Sequence, residues 1–508
     1  MDSKIMTVDQ AIDLIDDGMT LATGGFVGCG HPEALTAAIE DRFLKEQHPR
    51  DLTLVYAAGQ GDGKDRGLNH MGHEGILKRV VGGHWNLAPK MGQLALENKI
   101  EAYNFPQGVM CHLFREIANG SPGKISHVGL GTFVDPRFDG GKLNARTKED
   151  LVSLIELEGR EWLFYKTFAI DFCLLRGTAS DTHGNISFEN EAITAEVLSI
   201  AQATRNSGGT VIVQVEKIVP VDERDPKSIR VPGIFVDGVV LADKALHPQT
   251  FAEDYNPGYV HPGDIDTIDL PKMEKGARRI ISSRAFEEFE EGDIVNLGIG
   301  VPEGVALMAR EYHKLDKITL TLESGPVGGL PAGGLSFGAS MYPQAIIDQP
   351  YMFDFYDGGG LDVAFLGMAE CDGSGNVNVS KFGGRVAGIG GFMNISQTAQ
   401  KVVFTGTFTV GGLNVEWEND TLHILQEGKY KKFTQAVEHI TFSGALAWQK
   451  GQKILYVTER AVFRLSADGP ELIELAPGID IEKNIIPYMD FKLRVSPDLK
   501  PMHTQHFE

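Results

Sequence analysis

The sequence predicts an α/β protein made of two similar open domains with parallel-rich sheets, fused in one chain. Three observations predict it. First, short apolar runs such as "DLTLVYAA" (from Asp51), "KITLTLE" (from Lys317) and "LDVAFLG" (from Leu361) alternate with helical stretches such as "AITAEVLSIAQATR" (from Ala192). Strands that are apolar throughout, separated by helices, belong to parallel sheets covered on their faces. Second, glycine is in excess, with 60 in 508 residues, or about 12% against an average near 7%. The glycines cluster ("GGFVGCG", "GQGDGKDRG", "GIGG") without a collagen-like period, which marks tight turns and close backbone approaches.

Third, the chain contains itself twice. "LIDDGMTLATGGFVGCGHPEALTAAI" (from Leu14) resembles "EFEEGDIVNLGIGVPEGVALMAR" (from Glu288): an acidic turn, a β-like run, a glycine-rich loop, then Pro-Glu opening a helix. "CLLRGTASDTHGNISF" (from Cys173) resembles "AFLGMAECDGSGNVNVS" (from Ala364), which aligns Asp181, Gly184 and Asn185 with Asp372, Gly375 and Asn376. The same alignment lays "TVIVQV" (210–215) over "KVVFTG" (401–406). A chain of this length exceeds one core. The division expected is an N-terminal domain over 1–270 and a C-terminal domain over 276–508. A Pro-, Asp- and Lys-rich connector with short strands of its own is expected at about 222–275.

Composition narrows the function classes. A formal charge of −22 opposes phosphate backbones, so nucleic acid is not an expected partner. Four scattered cysteines without a CxxC suggest neither a zinc knuckle nor a disulfide framework. The acidic, helix-forming "MDSKIMTVDQAIDLIDDG" lacks signal-peptide architecture, and no apolar run approaches the roughly 18 residues that span a bilayer. The expected setting is cytoplasmic, with no membrane partner. No metal site is expected: His31, His73, His84, His112 and His183 lack an HExxH pattern, and they read as turn caps or surface residues.

The candidate chemistry starts at Glu323. The alternating Ile318-Thr319-Leu320-Thr321-Leu322 ends on this carboxylate and opens into "SGPVGG". In open parallel sheets ligands sit beyond the carboxyl ends of strands. A carboxylate with a pKa near ~4.3 is ionised at neutral pH and attacks an acyl carbon without a base, provided donors meet the oxyanion. Gln107 in "NFPQGVM" offers a neutral amide donor, and Gly391 in "AGIGGFMNIS" a bare backbone N–H. Each of the three also reads as an ordinary turn residue. Gly298, Ile299, Gly300, Val301 and Pro302 join a strand to a helix whose exposed N–H groups suit a diphosphate, although Glu303 in the first turn opposes one. A plain strand–helix turn accounts for this stretch equally well. No GxSxG elbow is present, and no GxGxxG is followed by the acid of a nicotinamide fold.

These motifs together resemble the family I CoA-transferases over nearly the whole chain. "GGFVGCGHPEALTAAI" is similar to the family's glycine-rich opening, "FPQG" to its Pro-Gln-Gly segment, "ESG" to its Glu-x-Gly nucleophile motif, and "GIGGFMNIS" to its Gly-Met-Gly-Gly segment. "FYDGGGLDVAFLGMAECDGSGNVNVSKFG" and "LAPGIDIEKNI" resemble the acetate and propionate enzymes of the short-chain type. The resemblance implies Glu323 as nucleophile, Gln107 and Gly391 as oxyanion donors, and Gly298 to Pro302 as the CoA loop. It also implies acyl-CoA and short-chain carboxylates as substrates, CoA as substrate in place of any cofactor, a ping-pong cycle, and a homo-oligomer, often a tetramer. One departure stands out: the family's Ser-Glu-Asn-Gly reads Leu-Glu-Ser-Gly here, so the flanks that orient the acid differ. An acyl-CoA hydrolase on the same scaffold would use the same glutamate. A non-catalytic effector-binding module is the alternative of another class, and it lacks support from any helix-turn-helix or basic face.

Overall fold

Eight short strands line up in parallel through the first unit of the computed structural model, which describes residues 3–221, 224–268 and 272–508. They are β1 (Ile5–Met6), β2 (Thr20–Thr23), β3 (Leu52–Tyr56), β4 (Leu77–Gly82), β5 (Glu101–Asn104), β6 (Phe172–Arg176), β7 (Thr210–Val215) and β8 (Gly238–Leu241). Their order across the sheet is β1-β8-β7-β6-β2-β3-β4-β5. Every residue of β6 is buried, as are the last five of β7, which is why those segments read as unbroken apolar runs. The order reverses between β2 and β6, the topological switch point of this sheet. Helices α1 (Glu33–Glu46), α2 (Gln107–Asn119) and α3 (Val197–Asn206) belong to the same unit.

The second unit repeats the plan. Strands β9 (Ile294–Leu297), β10 (Thr319–Thr321), β11 (Val363–Gly367), β12 (Lys401–Thr405) and β13 (Lys453–Val457) run parallel in the order β10-β9-β11-β12-β13. Its switch point lies between β9 and β11. The sheet continues through an antiparallel meander of β14 (Ala461–Ser466) and β15 (Gly469–Leu475), then β16 (Arg494–Pro501) parallel to β15. Helix α4 (Glu303–Glu311) follows β9.

The duplication is exact down to hydrogen bonds. Phe172 pairs with Thr210 and Val363 with Lys401, the positions that the sequence alignment superposes. Asp181 accepts the N–H groups of His183 and Asn185 and the Asn185 amide; Asp372 accepts those of Ser374 and Asn376 and the Asn376 amide. Asn185 Oδ1 then accepts the Gly233 N–H, and Asn376 Oδ1 the Gly444 N–H. Both turns need glycine at the left-handed position, Gly184 at φ 82° and Gly375 at φ 78°. Burial alone would raise the Asp181 pKa, but Asn185, the backbone donors and Arg224 outweigh it and hold the carboxyl below its usual range.

Three expectations change. The two units are not contiguous halves: 322–354 and 384–394 pack with the described residues up to Ile265, and the second unit comprises 266–321, 355–383 and 395–508. The expected boundary at 270 and the start of the connector at 222 lie outside the described residues. The rest of that stretch is not a separate linker, because it supplies β8 to the main sheet and Ile229–Val231 to a small sheet against Ile186–Ser187. The histidines are also not uniformly superficial: His31 and His112 are buried, His31 between Gln60 Oε1 at 2.7 Å and Thr36 Oγ1 at 2.9 Å. Their polar partners, invisible in a linear pattern, make that burial possible.

The repeated turns give a stability test. Asp181→Ala and Asp372→Ala each remove an acceptor of three buried or half-buried donors. Each should cost about 1–3 kcal/mol, while the Asn variants, which keep one oxygen for the backbone donors, should lose less. Thermal unfolding of the four variants beside the parent measures this.

Candidate active site

Three chain segments converge at the carboxyl ends of β4 and β5, all within the first unit. Strand β4 runs out into Gly82-Gly83-His84; β5 runs out into Phe105-Pro106 and the first helical residue of α2, Gln107; the third segment is Ile389-Gly390-Gly391. The stitching is by backbone. Gly83 O accepts the N–H groups of Ile389 (3.1 Å) and Gly390 (2.8 Å), and the Gln107 N–H donates to Gly390 O (3.0 Å). One residue along, the Gly108 N–H donates to Asn394 Oδ1 at 3.1 Å. Helix α2 can begin here because Pro106 precedes it at φ −58° and costs no needed N–H. All residues from Gln107 to Phe114 are buried, so the start of this helix is fixed by packing on every side.

Glu323 enters the same place from a tight turn. The Gly325 N–H donates to Leu322 O (3.0 Å), the Leu322 N–H to Pro326 O (3.0 Å), and the Ser324 hydroxyl to Gly338 O (2.7 Å). Gly325 has φ 125°, and a side chain there would meet Ile347 O at 2.0 Å, so glycine is required. The unusual flanks thus have a mechanical role: buried Leu322 and Ser324 anchor the turn on both sides of the half-buried acid.

Glu323, Gln107 and Gly391 are brought together. A Cβ built on Gly391 would lie 3.3 Å from Glu323 Cγ, 3.4 Å from its Oε1 and 3.3 Å from Phe353 Cζ. One residue earlier, a Cβ on Gly390 would lie 3.5 Å from Gln107 Oε1 and 3.6 Å from His84 Cδ2. The acid and the amide therefore flank one glycine pair. Gln107 Nε2 is buried without a hydrogen-bond partner among the described residues, an orphan donor of a kind that native folds keep for a reason. The Gly391 N–H likewise donates to no group among the described residues.

Several neighbours were not legible in the sequence. Phe353 packs against both Gly108 and Gly391. His84 closes the side beyond Gly390; its Nδ1 is enclosed and unpartnered among the described residues, and burial pushes the ring down to about 4. Asn104 spans the seam, bonded to Gly82 O, Gly83 O and the Ile389 N–H. The Gly298–Pro302 loop belongs to the second unit, at the carboxyl end of β9 beside that sheet's switch point. Gly300 adopts φ 88°, Ile299 is exposed, and the Gly298 N–H donates to Phe365 O at 2.8 Å. Arg278 Nη2 donates to Gly300 O (2.8 Å) and stands 3.4 Å from Glu303, so the acid that opposed a phosphate at this helix start has a cation beside it. Among the described residues no cluster of His, Cys, Asp and Glu could hold a metal ion, and no helix is long and apolar enough to cross a membrane.

Comparison with known proteins places this geometry. The profile of the coenzyme A transferase family matches residues 5–242. The chain is 43% identical over 507 residues to the acetate CoA-transferase YdiF of Escherichia coli K12, covering 99% of this chain and 95% of that one. It is 45% identical over 511 residues to the caffeate CoA-transferase of Acetobacterium woodii, covering 99% and 97%. The crystal structure of the E. coli O157:H7 acyl-CoA transferase YdiF, as a thioester complex with CoA, superposes with a TM-score of 0.94 at 41% identity, covering 100% of this chain and 96% of that one.

The buried imidazoles predict a pH dependence. His31 and His84 are both lowered to about 4 by burial, whereas an unfolded chain takes up their protons near ~6.5. The stability they contribute is therefore present above ~6.5 and is lost as pH falls toward about 4. The thermal midpoint should fall across that window, and less steeply in His84→Asn.

Proposed function

Because the chain belongs to the family I CoA-transferases, we propose that it moves CoA between a short-chain acyl-CoA and a free carboxylate, with Glu323 as the covalent carrier. The observation that carries this reading is the placement of Glu323 beside Gly391, with Gln107, whose Nε2 is unpartnered among the described residues, across the glycine pair. A Glu323 oxygen attacks the acyl carbonyl, the C–S bond breaks, and a mixed anhydride and CoA thiolate result. The thiolate attacks the glutamyl carbonyl and expels the acyl carboxylate, leaving a glutamyl–CoA thioester. A second carboxylate runs these steps in reverse. No ATP is consumed, because the energy of the thioester is kept in a covalent bond throughout.

In this reading Gln107 Nε2–H and the Gly391 N–H meet the oxyanion formed at each attack. Donors fixed in advance stabilise that charge without reorganising, and each accounts for roughly 10²–10³ in rate. The Gly298–Pro302 loop, with Arg278 beside it, is the anion-binding loop proposed for the phosphates of CoA. The acetate enzyme at 43% identity supports a small acyl group. The caffeate enzyme at 45% supports an aromatic acid as a second reading of the acceptor. The segments 70–86, which contains β4 and His84, and 337–344, which holds Ser324 through Gly338 O, are the walls proposed for the acyl pocket. A homotetramer in the cytoplasm completes the proposal.

Intact mass after brief exposure to acetyl-CoA is the test. The parent should gain a CoA-sized adduct that disappears on adding acetate, propionate or caffeate, whichever is the acceptor. Glu323→Ala should gain none, and Gln107→Ala should form it roughly 10²–10³-fold more slowly. An adduct that decays at the same rate without any carboxylate would replace transfer by hydrolysis. No adduct on the parent, with the thioester left intact, would remove Glu323 from the chemistry.

A further inference from the structure

Asn104 ends β5 three residues before Gln107, and it is completely buried. Its Nδ2 donates to Gly82 O at 2.9 Å and to Gly83 O at 2.6 Å, and its Oδ1 accepts the Ile389 N–H at 3.0 Å. One side chain thus holds the ends of β4 and β5 and the glycine segment together. Every bond goes to backbone near the proposed donors: Ile389 lies two residues before Gly391, and Gly83 O also accepts the Gly390 N–H.

Resting on the proposed function, we propose that Asn104 is the positioning residue of the oxyanion pocket. It sets the height of the Ile389–Gly391 backbone over Gln107. The Ile389 N–H is shared between Gly83 O and Asn104 Oδ1, so the carboxamide fixes the peptide from a second direction that the backbone alone leaves free. The neighbours cannot take over this role. Gly82 and Gly83 carry no side chain, and a Cβ on either would meet Tyr56 Cζ at 2.3 Å or Ala57 O at 2.0 Å. Only an amide matches the pattern, with two donors facing carbonyl oxygens and one acceptor facing an N–H. The Gly391 N–H is two peptides away from the clamp, and a misplacement near 1 Å at a reacting group costs about 10²-fold.

The test follows thioester formation by rapid-quench intact mass in Asn104→Ala, Asn104→Asp and Gln107→Ala, beside the parent. Asn104→Ala should slow formation by roughly 10- to 100-fold while the KM for acetyl-CoA stays within about twofold. Asn104→Asp carries the sharper signature. Ionised, it faces two carbonyl oxygens; protonated, it restores one donor and the acceptor. Burial beside carbonyls raises its pKa above ~3.9, so its rate relative to the parent should rise as pH falls from about 8 to 5.5. A folded Asn104→Ala with the parent's rate overturns the proposal. If Asn104→Ala does not fold, a flat Asn104→Asp to parent ratio across that pH range overturns it equally. Gln107→Ala keeps the two levels apart: normal rates there sink the oxyanion reading itself, whereas a slow Gln107→Ala with an unaffected Asn104→Ala removes only the role of Asn104.

Discussion

The molecule's candidate chemistry depends on one close approach, that of the Gly82-Gly83 backbone to the Ile389-Gly390-Gly391 backbone. Gly83 O is the anchor, and two successive N–H groups reach it only because no Cβ intervenes. Everything else in the site is arranged around that contact. Pro106 starts α2 so that Gln107 faces it, the Leu322–Gly325 turn swings Glu323 to its open side, and Phe353 fills the space behind. A strand end is a poor place for precision, since loops tolerate motion. Here a sheet edge, a fully buried helix start and a carboxamide clamp convert the loop into part of the scaffold.

Much of this was legible in the sequence for physical reasons. An apolar strand that ends on an acid followed by glycine is a local signal, and so are Pro-Gln-Gly and paired glycines before a helix. The repeat was legible because turns built on Asp-x-x-Gly-Asn need those residue types at fixed spacing. Asn104 gave no signal, because its partners are backbone groups remote in the chain. The interior histidines were misjudged for the same reason: a polar side chain's burial depends on partners such as Gln60 and Thr36 that no periodicity shows. The course of the units was hidden as well. Segments 322–354 and 384–394 belong to the first unit although the residues on either side of each belong to the second, and long-range packing decides that.

The overall negative charge and an anionic substrate are compatible in the proposed mechanism because the donors assigned there are neutral. In that proposal Gln107 and Gly391 present N–H groups, and burial holds the His84 ring uncharged.

The two repeats have not kept the same trade. With Phe172 and Val363 equivalent, the strand registers make Leu54 equivalent to Leu320. Three residues further on, Ala57 holds the place that Glu323 holds in the other repeat. The first repeat therefore has no acid at its own sheet rim; its Ala57 carbonyl instead presses on Gly83 and helps to shape the donors. In the proposed mechanism duplication produced a division of labour: one copy carries the acid and the other shapes the donors that face it. The proposed centre therefore draws Gln107 from one repeat and Glu323 and Gly391 from the other, all three packed within the first unit.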